Sequence, residues 1–126
     1  MIGYVTLGTN DLERAAAFYD ELFTVIGAAR FMEEEQFIAW AAAPDQPGIA
    51  ATKPFDGNAA TVGNGTMVAL AVKNPEQVKA VHAKALELGG ADEGGPGPRG
   101  DSGFYAAYFR DLDGNKLNAF CMTAPE

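Results

Sequence analysis

This 126-residue sequence offers a single imidazole and a single thiol for nucleophilic, acid–base or metal chemistry. The only histidine is His82, and the only cysteine is Cys121. His82 falls beside the apolar stripe of a predicted helix, which favours a packed or surface histidine over a catalytic one. Cys121 alternates with apolar neighbours and has no visible basic partner, which favours a small buried side chain over a nucleophile. A lone histidine also cannot supply the about three ligands that a catalytic zinc or iron site needs.

Polar side chains interrupt two predicted apolar strands, at places where they can bind a small molecule. Tyr4 and Thr6 alternate with apolar residues in the first strand, so they share one face. Asn118 interrupts the last strand and shares a face with Phe120. An amide there offers donors and an acceptor to a ligand or to bridging water. The alternative is a hydrogen bond to a neighbouring side chain.

Arg99 lies in a stretch rich in glycine and proline, residues 89–103, which we expect to form a flap. Its guanidinium can grip a carboxylate or phosphate of a ligand. The alternative is an ion pair with Asp92, Glu93 or Asp101. The glycines do not form a phosphate-cradling loop, because they follow a helix and lack the accompanying lysine.

The composition narrows the class of partner. The formal net charge of -8 disfavours nucleic acid and anionic membranes, since such a surface repels phosphate groups. No apolar stretch approaches the roughly 20 residues that cross a bilayer. The sequence starts without a basic, apolar leader, and its single cysteine excludes an internal disulfide. We therefore expect a cytoplasmic protein.

The spacing of apolar residues predicts one strand, one helix and three strands in the first half. Asn10 is the expected N-cap, Glu13 completes a capping box, and Gly27 ends the helix. The predicted strands lie near 4–9, 28–33, 36–42 and 48–53.

The second half repeats this order at an offset of 63 residues. Asn74 is the expected cap and Pro75 the first helical residue, and Gly89–Gly90 ends the helix. Asp111 and Asp113 belong to the strong turn signal DLDGN. A short apolar strand is predicted at the start of residues 67–90, followed after the helix by a weak strand near 92–95 and strands near 103–110 and 116–122. The sequence predicts a single domain, 1–126, with module one at about 1–53, a linker at about 54–65 and module two at about 66–126.

Three stretches resemble small glyoxalase-like members of the vicinal-oxygen-chelate superfamily, which includes glyoxalase I, bleomycin-resistance proteins and extradiol dioxygenases. They are YVTLG with NDL and AFY near the start, HAKAL with GG, and PGPR with YFRDLDGN. The resemblance implies an α+β fold of two tandem βαβββ modules, whose curled mixed sheet forms a cup with the helices outside. It also implies a homodimer, and for the enzymes of the family a divalent metal inside the cup.

The positions that hold the metal in those relatives are occupied here by Tyr4, Ala50, Met67 and Asn118. The resemblance places His or Glu at these positions. Alanine cannot ligate, methionine is too soft for a hard cation, and a neutral tyrosine or asparagine binds weakly. We therefore expect no cofactor.

The sequence predicts a cup that binds a small organic molecule through aromatic, thioether and amide contacts. One alternative is a glyoxalase-like lyase or isomerase that uses Tyr4 as its catalytic residue or an atypical metal site. Another alternative is a non-catalytic subunit or regulatory module. The candidate binding residues are Tyr4, Thr6, Trp40, Met67, Arg99, Tyr105, Asn118 and Phe120.

Overall fold

The computed structural model describes residues 1–123 and consists of two successive βαβββ modules. The first contains β1 (Tyr4–Gly8), α1 (Leu12–Thr24), β2 (Ala29–Glu33), β3 (Phe37–Ala41) and β4 (Gly48–Thr52). The second contains β5 (Val68–Ala71), α2 (Pro75–Glu87), β6 (Ala91–Pro98), β7 (Phe104–Arg110) and β8 (Lys116–Met122). The predicted fold class is confirmed. The last three residues of the predicted second module lie outside the described residues.

Each module forms its own four-stranded mixed sheet, in the orders β1-β4-β3-β2 and β5-β8-β7-β6. The first and last strands of each module are parallel neighbours, and the other pairs are antiparallel. Within residues 1–123, no Cα atom in the strands of one sheet lies within 8 Å of a Cα atom in the strands of the other. The modules meet instead through the two helices and through loops.

The helix starts follow local capping chemistry, with one shift from the prediction. Asn74 caps α2 as predicted, accepting a hydrogen bond from the backbone N–H of Gln77, and Pro75 follows it. The cap of α1 is Asp11 rather than Asn10, because the Asp11 carboxylate accepts from Arg14 N–H. The Asn10 side chain is engaged elsewhere, with the backbone of Ala60.

One face of each sheet packs against the helix of its own module and forms the core. Leu22 of α1 and Val78 of α2 are fully buried there, as are Phe109 and Leu117 of the second sheet. Cys121 belongs to this core, as its alternation predicts. We call the opposite side of each sheet its open face, and strand alternation places there the residues between those of the core.

In the segment predicted to contain a strand near 92–95 and to form a flap, the strand is longer than predicted. Residues 91–98 form β6, which pairs with β7 through two register shifts, Ala91 opposite Arg110 and Pro98 opposite Tyr105. Glycine and proline weaken a central strand, but β6 is the outer strand of its sheet, where both are tolerated. Arg99 therefore follows a strand end rather than lying at the tip of a loose loop.

A buried carboxylate joins the two modules. Asp111, in the β7–β8 turn, accepts a 2.6 Å hydrogen bond from the Tyr19 hydroxyl of α1. It also accepts from Asn115, whose Nδ2 donates in addition to the Gly8 carbonyl of β1. The neighbouring Asp113 accepts from the backbone N–H of Asn10. The predicted turn therefore also fastens module two to module one.

The environment of Tyr19 favours its neutral phenol. Burial raises the pKa of Tyr19 well above its ordinary value, and the charge and hydrogen bond of Asp111 raise it further. A group whose pKa is higher in the folded state stabilises the fold at pH values below its unfolded pKa, about 10 for tyrosine. This stabilisation is lost as the pH rises through the folded pKa.

We predict that Tyr19→Phe lowers the free energy of unfolding by about 1.5–3 kcal/mol at neutral pH, because a hydrogen bond to a charged acceptor is lost in a buried site. Urea unfolding followed by circular dichroism measures the change. Tyr105→Phe is the matched control, since the Tyr105 hydroxyl has no hydrogen bond to a described residue. Equal free energies of unfolding for the two variants would show that the hydrogen bond between Tyr19 and Asp111 contributes little to stability.

Candidate functional site

The open face of the first sheet carries exposed aromatic side chains. Tyr4 is 52% exposed, and its ring meets that of Phe37 edge-on at 5.6 Å between centroids. Phe31 is 53% exposed and lies over Gly48, where an added Cβ would come within 2.8 Å of its ring. Thr6 shares this face with Tyr4, as the alternation predicts. This face is apolar and uncovered.

The open face of the second sheet combines aromatic and polar groups. Asn118 of β8 lies directly opposite Tyr108 of β7 in the antiparallel register. Phe120 follows two residues along β8, and its ring lies 5.4 Å from that of Phe104. Asn118 and Phe120 thus share a face, as predicted from sequence. Met67, 39% exposed, immediately precedes the neighbouring strand β5.

The side-chain oxygen of Asn118 is the unusual atom of this face. Asn118 is 1% exposed, and its Oδ1 accepts no hydrogen bond from any residue in the range 1–123. Leaving a buried acceptor unpaired costs about 1–3 kcal/mol. Within residues 1–123, this oxygen therefore does not form the hydrogen bond to a neighbouring side chain that was the alternative prediction. The atom is therefore a buried acceptor without a donor among residues 1–123.

Two cations border the Asn118–Tyr108 pair. The Arg99 guanidinium carbon lies 5.3 Å from the centroid of the Tyr108 ring, and Lys116 Nζ lies 5.5 Å from it. Lys116 is two residues before Asn118 on β8 and shares its face. Sequence reasoning missed Lys116, although the same alternation that placed Asn118 also places this lysine.

Two of the predicted binding residues lie on the other side of the sheets. Trp40 is 1% exposed in the core, and its indole N–H donates to Asp20 at 2.8 Å. Arg30 binds the same carboxylate through two hydrogen bonds. Arg30 lowers the pKa of Asp20, and the bond from Trp40 lowers it further. Tyr105 packs against the core as well, so neither Trp40 nor Tyr105 joins the open faces.

The four positions that the sequence resemblance equates with the family's metal ligands carry residues that do not suit a divalent cation. Ala50 pairs with Thr6 in the same way that Asn118 pairs with Ala69, which supports the assignment of Ala50. Together with Tyr4 and Met67, these positions offer no carboxylate or imidazole. Within residues 1–123, no three His, Cys, Asp or Glu side chains are grouped to hold a metal ion.

A separate groove of about 730 Å³ lies on the surface of module one, between α1 and the β2–β3 hairpin. Its lining includes acidic residues, and its Arg30 is already bound by Asp20 and Glu33. None of the predicted binding residues lines it. The buried oxygen without a partner belongs to the second sheet and not to this groove, so we consider the open faces the stronger candidate.

His82 takes a structural role in this arrangement. It is buried on α2, and its Nε2 lies 3.0 Å from Oδ1 of Asp92 on β6. The backbone N–H of Gly94 lowers the pKa of Asp92, and His82 lowers it further. The pair ties α2 to the edge strand on the core side, away from Asn118.

These features agree with comparisons to known proteins. Residues 1–119 match the sequence profile of a family described as "Glyoxalase/Bleomycin resistance protein/Dioxygenase superfamily". The chain therefore belongs to this superfamily, as its sequence resemblance predicts. No curated protein sequence matches the chain significantly. None of the described helices is long and apolar enough to cross a membrane.

Solved structures show the same fold. A glyoxalase/bleomycin resistance protein from Albidiferax ferrireducens is 35% identical, with a TM-score of 0.88, and the match covers 98% of this chain and 99% of that one. The fosfomycin resistance protein FosX from Listeria monocytogenes is 19% identical, with a TM-score of 0.73 and coverages of 98% and 93%. The lactoylglutathione lyase from Agrobacterium tumefaciens is 19% identical, with a TM-score of 0.70 and coverages of 96% and 92%. The last two show likeness of fold alone.

We predict that Asn118→Leu leaves the free energy of unfolding unchanged or raises it by about 1 kcal/mol, because it removes a buried acceptor that lacks a partner. Leucine has a similar size and suits the apolar surroundings. Urea unfolding of the ligand-free protein measures the effect. A loss of more than about 1 kcal/mol would contradict the prediction, since it would assign the amide a structural hydrogen bond.

Proposed function

We propose that this protein binds a small organic molecule on the open face of its second sheet and does so without the divalent metal used by enzymes of its family. The buried, unpartnered Oδ1 of Asn118 is the observation that carries the proposal. It sits among aromatic rings at a position where metal-binding relatives have a carboxylate. A few polar groups on an apolar surface are typical of small-molecule sites. The proposed location is the cytoplasm.

Catalysis as a glyoxalase-like lyase or isomerase is the alternative. It would assign proton transfer to Tyr4, the reactive group of the first open face. A tyrosine needs a neighbouring charge or base to act near neutral pH. Among residues 1–123, no hydrogen bond joins the Tyr4 hydroxyl to such a group. Binding without turnover therefore has the better support, and it also has better support than a regulatory module without a ligand, which would not explain Asn118.

We expect protein purified without added metal to contain no stoichiometric divalent ion, and to carry or take up an organic ligand. Elemental analysis by mass spectrometry measures the metal, and native mass spectrometry measures the ligand mass. Ligand binding should weaken in Asn118→Leu, because leucine removes the Oδ1 acceptor. Treatment with a chelator should leave ligand binding unchanged.

Stoichiometric metal that survives purification, or ligand binding abolished by the chelator, would contradict the metal-free proposal. Unchanged ligand binding in Asn118→Leu would show that the ligand does not contact Asn118 on the second open face.

We further propose that the chain forms a homodimer that covers the open face of the first sheet. Exposed apolar side chains extend across this face and include Tyr4 and Phe31. Contiguous apolar patches on a soluble protein commonly mark an interaction surface. No strand of the second sheet covers it within the described chain, so a second copy is the occupant we propose.

We predict that light scattering after size-exclusion chromatography gives twice the chain mass of 13.2 kDa. Phe31→Asp should shift the protein toward the monomer, since it introduces a charge into the apolar patch that the proposed dimer would bury. Phe55→Asp is the matched control, because Phe55 is fully exposed in the loop between the modules and lies outside the patch. A monomeric wild type, or equal behaviour of the two variants, would overturn the dimer proposal.

A further inference from the structure

The basic residues of this acidic chain divide into two groups. Four of them lie within 4 Å of a carboxylate, namely Arg14, Arg30, Lys84 and Arg110. The other five have no carboxylate this close within residues 1–123, and of these only Arg99 and Lys116 are half-buried, whereas Lys53, Lys73 and Lys79 are exposed. Arg99 and Lys116 nevertheless converge on one ring, that of Tyr108. Two like charges are thus held near each other without a described counter-ion.

Arg99 is fixed in place by the glycines of β6. Its Nη1 donates to the Gly97 carbonyl and its Nη2 to the Gly95 carbonyl, both at 2.8 Å. A Cβ atom added at Gly94 would lie 3.3 Å from Nη2, and one at Gly97 would lie 3.4 Å from Nη1. The missing side chains therefore allow the guanidinium to lie against the strand. Of its five N–H donors, three remain for another acceptor.

The register places the two cations on either side of Tyr108. Arg99 lies over β6, the neighbour of β7 on one side, and Lys116 belongs to β8, the neighbour on the other. Asn118, opposite Tyr108, adds the buried Oδ1 that lacks a donor. The face thus presents two positive charges and one acceptor, next to the apolar rings of Phe104 and Phe120.

We propose that Arg99, Lys116 and Asn118 form a subsite for a small organic anion, a carboxylate or phosphonate, that also carries an O–H or N–H donor. The anionic group lies between the two cations and supplies their missing counter-charge. The donor satisfies Asn118 Oδ1, and the apolar remainder lies on Phe104 and Phe120. The subsite rests on the proposed function, since it names the ligand class of that same face. The net charge of -8 makes the local cations necessary, because the rest of the surface repels an anion.

Titration of the full chain with phenyllactate, followed in proton–nitrogen correlation spectra, tests the subsite. Saturable shifts are expected at the Arg99 Nε–H and at the Asn118 side-chain amide. Arg99→Gln and Lys116→Gln should each weaken binding about tenfold, because each removes a charge-assisted contact. Lys79→Gln is the matched control, since it removes the same charge from an exposed helical position and should leave the affinity unchanged.

Two related compounds test separately the contributions of the hydroxyl and of the negative charge to binding. Phenylpropanoate lacks the hydroxyl and should bind more weakly than phenyllactate to the wild type, but equally to Asn118→Leu. Phenyllactamide lacks the charge and should bind alike to the wild type and to Arg99→Gln. Repeating the titration with phenylphosphonate distinguishes a preference for phosphonate from one for carboxylate.

The outcomes separate this inference from the proposed function. If phenyllactamide binds the second open face as tightly as phenyllactate, the anion subsite is overturned and the small-molecule site stands. The same holds if Arg99→Gln, Lys116→Gln and Lys79→Gln bind phenyllactate equally. If none of the probes gives a saturable shift at either side chain and native mass spectrometry finds no organic ligand, both proposals fail.

Discussion

The carboxylate of Asp111 is the interaction on which the relation between the two modules depends. It accepts hydrogen bonds from the Tyr19 hydroxyl, from the Asn115 amide and from backbone N–H groups of its own turn. One buried group therefore shapes the β7–β8 turn and attaches it to α1. Since no described strand runs from one sheet to the other, the orientation of the two open faces follows from this junction together with the contact between α1 and α2.

The two sides of the sheets differ in how their polar groups are satisfied. The helix-facing side contains the uncharged core and satisfies its polar groups internally, as the bonds of Trp40 to Asp20 and of His82 to Asp92 show. Within residues 1–123, the open side of the second sheet contains Asn118 Oδ1, which accepts no hydrogen bond, and two cations beside Tyr108 that have no carboxylate within 4 Å. Unsatisfied groups are costly in a core, so their concentration on one side of one sheet is the strongest physical argument for a ligand there.

Local patterns predicted much of this arrangement and failed where the deciding partner was distant in sequence. Alternation placed Asn118 with Phe120, and the Asn74–Pro75 cap began α2 where expected. Alternation divides a strand into two sets without saying which set meets the helix, and for Trp40 the answer depends on Asp20 of another element. The glycines and prolines of β6 limited the predicted strand to residues near 92–95, because sequence alone could not show that this segment lies at a sheet edge.

The two modules share one plan, but their corresponding strand positions carry different residues. In the first sheet Ala39 faces Ala50, whereas in the second Tyr108 faces Asn118. At these positions the first sheet thus has small apolar residues, and the second sheet has larger polar residues. A doubled unit whose copies exchange no strand can specialise one half without disturbing the folding of its twin. The internal duplication thus produces two open faces of different chemistry, one with exposed aromatic rings and one that combines rings with charged groups.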